Sequence, residues 1–285
     1  MEYKGHKFEN IKFDTDGQVG IITLNRPERL NALSIGLQSE VETVLGELEK
    51  DDGIGAVIIT GGPRSDGRPC FSAGADIKEM REKGGTYTQA AMGTLEEGLL
   101  KTLTTIGSNR NMAYQSFWNK VQDFSKPLIA AIDGVCTAGG LELVMRCDII
   151  IVAETAEIRD LHLKTLGILG GGGLQTWLPR LVNPGKAKEL VWTGDPIDGS
   201  EAWRIGFAQR LSTSDKLLED AMELAKKIAA MPLLALKLSK IAINNSLDQG
   251  IYNSLRFSAL SESVLRLFKA DEQTKAREAF GQKGE

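Results

Sequence analysis

The constraint that narrows the fold most is a set of four short β-branched runs with no polar alternation. They are "VGIITL" (Val19 to Leu24), "GAVIIT" (Gly55 to Thr60), "LIAAID" (Leu128 to Asp133) and "DIIIVA" (Asp148 to Ala153). A strand with one wet face alternates polar and apolar residues, so runs like these read as strands buried on both faces, as in parallel sheets covered by helices. Parallel strands need crossovers, and "IGLQSEVETVLGELEK" supplies one. Its Leu37, Val41, Val44, Leu45 and Leu48 follow the i, i+4, i+7, i+8, i+11 spacing of one helix face. Strand, helix, strand alternation defines an α/β class.

From about Asp215 the strand signal stops, and "DKLLEDAMELAKKIAAM", "LLALKLSKIAINNSL" and "NSLRFSALSESVLRLF" read as helices with wide apolar faces. Such faces need cover from the core or from another subunit, which points to a homo-oligomer. The division expected is a core over 1–212 and a helical region over 213–285. Between Glu82 and Ala113 the chain is polar and interrupted by glycine, the character of a surface insertion or lid. Tyr114, Phe117, Trp118, Val121 and Phe124 then return to helical spacing and read as core.

Charge excludes several functions. Thirty-four basic against 38 acidic residues give a net charge of -4, the wrong sign for an electrostatic nucleic-acid binder. The start "MEYKGHKFEN" has no apolar h-region and no run reaches membrane-spanning length, so a cytoplasmic location is expected, with no membrane partner. Cys70, Cys136 and Cys147 are odd in number and form no CxxC pair, and the histidines are only His6 and His162. No metal site is expected from such a set.

The candidate chemistry lies in two small-residue loops. In "TAGGLELV", Gly139 and Gly140 precede a helix start, where side-chain bulk is absent and backbone N–H groups face outward. Glu142 stands three residues after Gly139 and so shares its helix face. In "CFSAGADIKEM", Ser72 to Ala75 again leave amides uncovered. A carbonyl oxygen held between N–H donors from two loops is an oxyanion hole, worth roughly 3 to 4 kcal/mol per donor in acyl chemistry.

At this point the resemblance is specific. "NRPERLNAL", "FSAGADIKEM", "KPLIAAIDGVCTAGGLELVMRCDIII" and "GGGGLQTWLPRLVNPGKAKELVWTGDPIDGSEAWRIGFA" occur in order and resemble the enoyl-CoA hydratase/isomerase, or crotonase, family. The resemblance implies a crotonase-like spiral of ββα units ending in a C-terminal helical region that makes trimers or pairs of trimers. It implies an acyl-CoA thioester as substrate, with coenzyme A part of that substrate and no separate cofactor. By motif matching, the N–H groups of Ala75 and Gly139 hold the thioester oxygen. Leu30, Ala32, Ala73 and Asp76 lie along the CoA moiety, and Glu142 takes the place of the first catalytic glutamate. Arg26, Arg29, Lys78 and Arg81 are either CoA phosphate contacts or solvated charge.

The second glutamate is missing. Counted from Ala156, "AEIRDLH" puts His162 at its position; counted back from Gly167, the position falls on Leu163. Chemistry favours His162, whose imidazole exchanges protons near neutral pH, with Asp160 as a fallback acid. The expected reaction is hydration of an enoyl thioester, Glu142 activating water and His162 taking the second role. A β-keto (cyclic) acyl-CoA hydrolase, an enoyl-CoA isomerase and a non-catalytic acyl-CoA-binding homologue are the alternatives. "GILGGGGLQ" lacks the spacing of a phosphate loop and reads as close packing or a shaped acyl pocket.

Overall fold

The structure is a computed structural model that describes residues 2–82 and 117–267. Apart from Glu82, the insertion expected over about 82–113 lies outside the described residues, as do the core candidate Tyr114 and the chain beyond Leu267.

The four apolar runs are neighbours in one six-stranded sheet. After a small hairpin, β1 (Glu2–Tyr3) and β2 (His6–Lys7), its strands are β3 (Ile11–Asp16), β4 (Val19–Leu24), β5 (Ala56–Gly61), β7 (Leu128–Ile132), β9 (Ile149–Ala153) and β11 (Arg210–Ser212). The order is β11-β9-β7-β5-β4-β3, parallel from β4 to β11, with β3 antiparallel at the edge. Both faces are covered, which explains the missing alternation. Ile22, Leu24, Val57, Ile59, Leu128, Ala130 and Ile132 face a core shared with α1 (Ile35–Glu49). Val19, Ala56, Ile58, Ile129, Ala131 and Ile151 face Leu217, Ala221, Ala225 and Ala229 of a later helix, α7 (Leu217–Ala229).

Helix α1 begins where Ser34 Oγ accepts the Leu37 N–H at 3.1 Å. Its five periodic apolar residues are all buried. The α7 stripe is alanine because the sheet approaches closely: a Cβ on Gly55 would stand 2.9 Å from Ala229 Cα. Helices α8 (Leu233–Ser246) and α9 (Ile251–Leu267) pack on one another, yet Ile243, Leu247, Ile251, Leu255 and Leu260 remain exposed. Among the described residues no helix is long and apolar enough to cross a membrane.

A second, three-stranded sheet positions the chemistry. Its strands are β6 (Cys70–Ser72), β8 (Val135–Thr137) and β10 (Glu157–Arg159), parallel and ordered β10-β8-β6. Each follows one strand of the large sheet, so the chain winds as a spiral: β5 then β6, β7 then β8, β9 then β10. The tight crossover into β8 needs Gly134, whose φ is +62° and where a Cβ would meet the Pro69 carbonyl at 2.0 Å. The small sheet corrects the sequence reading of the start of "CFSAGADIKEM" as loop, Cys70–Ser72 being a strand; three residues are too few to show a period, but they suffice to pair.

Candidate active site

The segments that carry the expected donor amides and His162 leave the small sheet at its carboxyl end, the edge where parallel sheets gather ligand sites. Residues 73–76 follow β6, Ala138 and Gly139 follow β8, and Asp160 to His162 follow β10. The two expected donor amides meet there. A Cβ on Gly139 would stand 3.1 Å from the Ala75 nitrogen, and one on Gly74 would stand 2.8 Å from the Gly139 nitrogen. Substitution at either position would therefore fill the space in front of an amide. The loop spends its other donors internally: Ala73 N–H binds Leu30 O at 2.9 Å and Gly74 N–H binds Ser72 Oγ at 3.1 Å.

Ala138 sets the aim of the Gly139 amide. At φ 49° and ψ −117° it occupies a conformation ordinarily left to glycine, directly before helix α3 (Gly139–Val144). Backbone strain of roughly 1 to 3 kcal/mol is typical of such residues and concentrates at functional sites. The ladder holds it in place, because Arg159 pairs with Thr137 and accepts the Ala138 N–H at 3.4 Å.

Glu142 lies one turn into α3 and is 2% exposed. This answers why an acid interrupts an otherwise buried run: its carboxylate is wrapped by the glycine stretch before α4 (Leu174–Leu181). A Cβ on Gly170 would fall 2.5 Å from Glu142 Oε1, and one on Gly172 would fall 2.6 Å from Oε2. The Leu174 N–H donates to Oε1 at 3.3 Å. Burial pushes the carboxyl above its usual range, against the pull of His162, the Leu174 and Gly172 amides and Arg146.

His162 is 8% exposed, and its Nε2 stands 3.9 Å from Glu142 Oε2. Leu163, the residue given by the other count, is 37% exposed. The one-residue difference between the counts has a local form: His162–Leu166 is a single π-helical turn, in which Gly167 N–H reaches the His162 carbonyl five residues back. A π turn is how a helix absorbs one extra residue, and it recurs at functional sites. On the far side of the ring, Nδ1 lies 2.6 Å from Asp160 Oδ1, which also accepts the His162 backbone N–H at 3.2 Å. Burial pulls the imidazole down, but the Asp160 hydrogen bond and the Glu142 and Asp160 charges outweigh it, so its pKa is raised.

The expected CoA loop is built around a residue that sequence reasoning passed over. Leu30 and Asn31 both have left-handed backbone, φ 50° and 52°. Asn31 is fully buried; its Nδ2 donates to Gly62 O and Cys70 O, both at 2.8 Å, and its Oδ1 accepts the Arg26 N–H at 2.8 Å. Asparagine tolerates this conformation better than most residues, which was the available signal. Leu30 and Ala73 are half-buried, while Ala32 and Asp76 are each 8% exposed. Asp76 is engaged inside the protein: Oδ2 accepts Arg26 Nη2 at 2.8 Å and Oδ1 accepts the Glu79 N–H at 3.1 Å, which starts α2 (Ile77–Glu82). Arg26 is thus an internal brace, whereas Arg29 and Lys78 are exposed.

Trp118 also adjoins the site. Phe117, Trp118, Val121 and Phe124 are buried as their spacing predicts. Even so, Trp118 Cε2 is 3.0 Å from the point where a Gly172 Cβ would stand, and its buried Nε1–H has no hydrogen-bond partner.

A site made of two converging amides, a buried carboxylate and a facing imidazole on a spiral of ββα turns defines an acyl-thioester enzyme fold. The chain matches the enoyl-CoA hydratase/isomerase family over residues 14–108 and 107–285. It is 36% identical over 274 residues to a Rhizobium meliloti (strain 1021) protein named "Probable enoyl-CoA hydratase", covering 96% of this chain and 95% of that one. It is 35% identical over 277 residues to the short-chain-enoyl-CoA hydratase of Clostridium acetobutylicum, covering 97% and 96%. The crystal structure of enoyl-CoA hydratase from Bacillus anthracis superposes with a TM-score of 0.79 at 31% identity, covering 96% of this chain and 97% of that one. The protein belongs to the enoyl-CoA hydratase/isomerase family, and it is an enzyme of that family with the crotonase fold.

Proposed function

We propose that the protein hydrates the α,β double bond of an acyl-CoA thioester. The observation that carries this reading is the buried pair of Glu142 and His162, 3.9 Å apart at Oε2 and Nε2, with Glu142 one turn along the helix that begins at the Gly139 amide. Two atoms at that separation can both reach one water at about 2.8 Å. Glu142 takes a proton from the water as its oxygen bonds to Cβ. The π electrons move to the thioester oxygen, where the Ala75 and Gly139 N–H groups stabilise the enolate. The His162 imidazolium delivers a proton to Cα, and the proton on Glu142 returns to His162. Atoms balance: one water is consumed and both residues recover their starting states.

The reaction needs no metal or redox group, coenzyme A being part of the substrate. Leu30, Ala32, Ala73 and Asp76 shape the loop along which the CoA moiety lies. We assign the exposed apolar residues of α8 and α9 to contacts between copies in a trimer or pair of trimers. Light scattering giving three or six times the 31.0 kDa chain would support that assignment. The bacterial relatives support a cytoplasmic location.

The test is loss of conjugated enoyl absorbance with crotonyl-CoA, run beside Glu142→Gln and His162→Ala. Turnover lost by about 10² to 10⁴-fold in each variant is the expected result. An imidazole in place of a second carboxylate also favours a second reading, attack of water on a β-keto carbon with C–C cleavage. Turnover of β-keto thioesters without hydration would select it, and tight CoA-ester binding without turnover of either class would overturn both.

A further inference from the structure

The hydration reading leaves unused a buried acid whose contacts are specific. Asp160 is 1% exposed and sits directly after β10, held by the ladder whose next pair is Arg159 with Thr137. Its Oδ1 lies 2.6 Å from His162 Nδ1 and 3.2 Å from the His162 N–H, and its Oδ2 is buried without a hydrogen-bond partner. A carboxylate accepts and does not donate, so the hydrogen on this contact must be carried by Nδ1. The opposite ring nitrogen then has its lone pair, or its acidic proton, on the side of Glu142.

We propose that Asp160 is the positioning residue of the site, fixing His162 as the Nδ1–H tautomer so that Nε2 is the nitrogen that exchanges protons beside Glu142. The proposal rests on the hydration reading only for what Nε2 then does; the tautomer itself stands without it. Free imidazole has no such constraint, and a neutral ring protonated on Nε2 alone would hold that proton toward the Glu142 carboxylate and leave no lone pair there to take back the proton that Glu142 returns after each turnover. The charges facing the ring are Asp160 after β10 and Glu142 on α3. The neighbouring Lys164 on the π turn is bridged to Asp195 at 3.0 Å. One ladder therefore aims two parts of the site, since the pair that steers Ala138 and the Gly139 amide also fixes the residue preceding Asp160.

The chain has two histidines, which makes the test direct. Ring ¹⁵N spectra of the substrate-free protein, assigned with His6→Gln, give the tautomer and the titration of His162. In the wild type the neutral ring is expected with Nδ1 protonated and Nε2 bare. Asp160→Asn keeps an acceptor for both hydrogen bonds but removes the charge, so the fold is retained and the His162 titration moves to lower pH. Asp160→Ala lets the Nε2–H tautomer appear. With substrate, Asp160→Asn is expected to lower kcat by about 10-fold to 10²-fold with KM little changed, and to move the alkaline limb of the pH profile to lower pH. A wild-type ring protonated on Nε2, or a titration identical in Asp160→Asn, would overturn the proposal. Absence of hydration with the expected tautomer present would overturn only the hydration reading.

Discussion

The glycine wrap around Glu142 gives the sharpest test of the site's geometry. In Gly172→Ala the new methyl would begin 2.6 Å from Glu142 Oε2 and 2.7 Å from its Cδ, where ordinary contact starts at 3.4 Å, so the carboxylate must retreat by about 0.8 Å. Gly172 is not among the left-handed glycines, so alanine meets no backbone penalty there. The nearest obstacle is the far end of the Glu142 side chain, with the buried Trp118 ring next at 3.0 Å, and the fold is expected to survive with a loss of about 1 to 3 kcal/mol. Catalysis is less forgiving. Misplacing a reacting group by about 1 Å can lower the rate about 10²-fold, or roughly 2.7 kcal/mol of barrier. The assay is initial-rate hydration of crotonyl-CoA together with a urea midpoint. Gly17→Ala is the contrast: φ is +58° with open space around it, so it should lose about 1 kcal/mol of stability and leave kcat unchanged. A Gly172→Ala enzyme with kcat within about threefold of wild type would refute the placement of Glu142 as the group that handles water.

Other perturbations separate stability from chemistry. Asn31→Ala removes three buried hydrogen bonds and a residue suited to its left-handed backbone; a loss of about 3 kcal/mol and a raised KM for CoA thioesters are expected from melting curves and saturation kinetics. Ala138→Gly relieves the positive φ, and a gain of about 1 kcal/mol should appear as a higher urea midpoint at unchanged slope; a lower midpoint would contradict the strain. Glu142→Gln should also stabilise at pH 7, by about 1 kcal/mol. The sign follows from a folded pKa raised above 4.5: ionising Glu142 opposes folding as pH rises through that raised value. His162 works in the same sense at higher pH, its folded pKa also being raised, above 6.5. Its stabilising contribution is full below pH 6.5 and is lost as pH rises through the folded value, so His162→Ala should flatten the alkaline side of the stability profile.

The large sheet was legible because burying both faces of a strand leaves a mark in composition: four runs of β-branched residues, and all four pair as expected. Helix α1 was legible for a similar reason, since its apolar spacing repeats over three turns. The small sheet was not legible. Cys70–Ser72, Val135–Thr137 and Glu157–Arg159 are three residues each, and their pairing is decided by where the larger strands have already taken the chain. Asn31 and Arg26 were hidden for a related reason. Their partners Gly62, Cys70 and Asp76 are 31 to 50 residues away, and no local pattern announces a brace between distant loops.

The site was half legible, and the divide falls where backbone register matters. Glu142 and Gly139 were named together because their spacing puts them on one helix face and the family resemblance gave each a role, although the helix starts at Gly139 and not after the two glycines. Counting alone did not separate His162 from Leu163, and chemistry had to choose, because one extra residue shifts a helical side chain by about 100°, enough to exchange a ring in the pocket for a leucine on the surface. The chain takes up that residue in a π turn anchored at both ends, by Asp160 before it and Gly167 at φ +65° after it. The glycine run then passes close enough over Glu142 that a methyl at Gly170 or Gly172 would displace its carboxylate. Sequence shows these as separate oddities: a histidine for a glutamate, an aspartate two residues earlier, glycines in a row. In space they are consecutive parts of one wall, built so that a buried carboxylate and an oriented imidazole stand within reach of the same water.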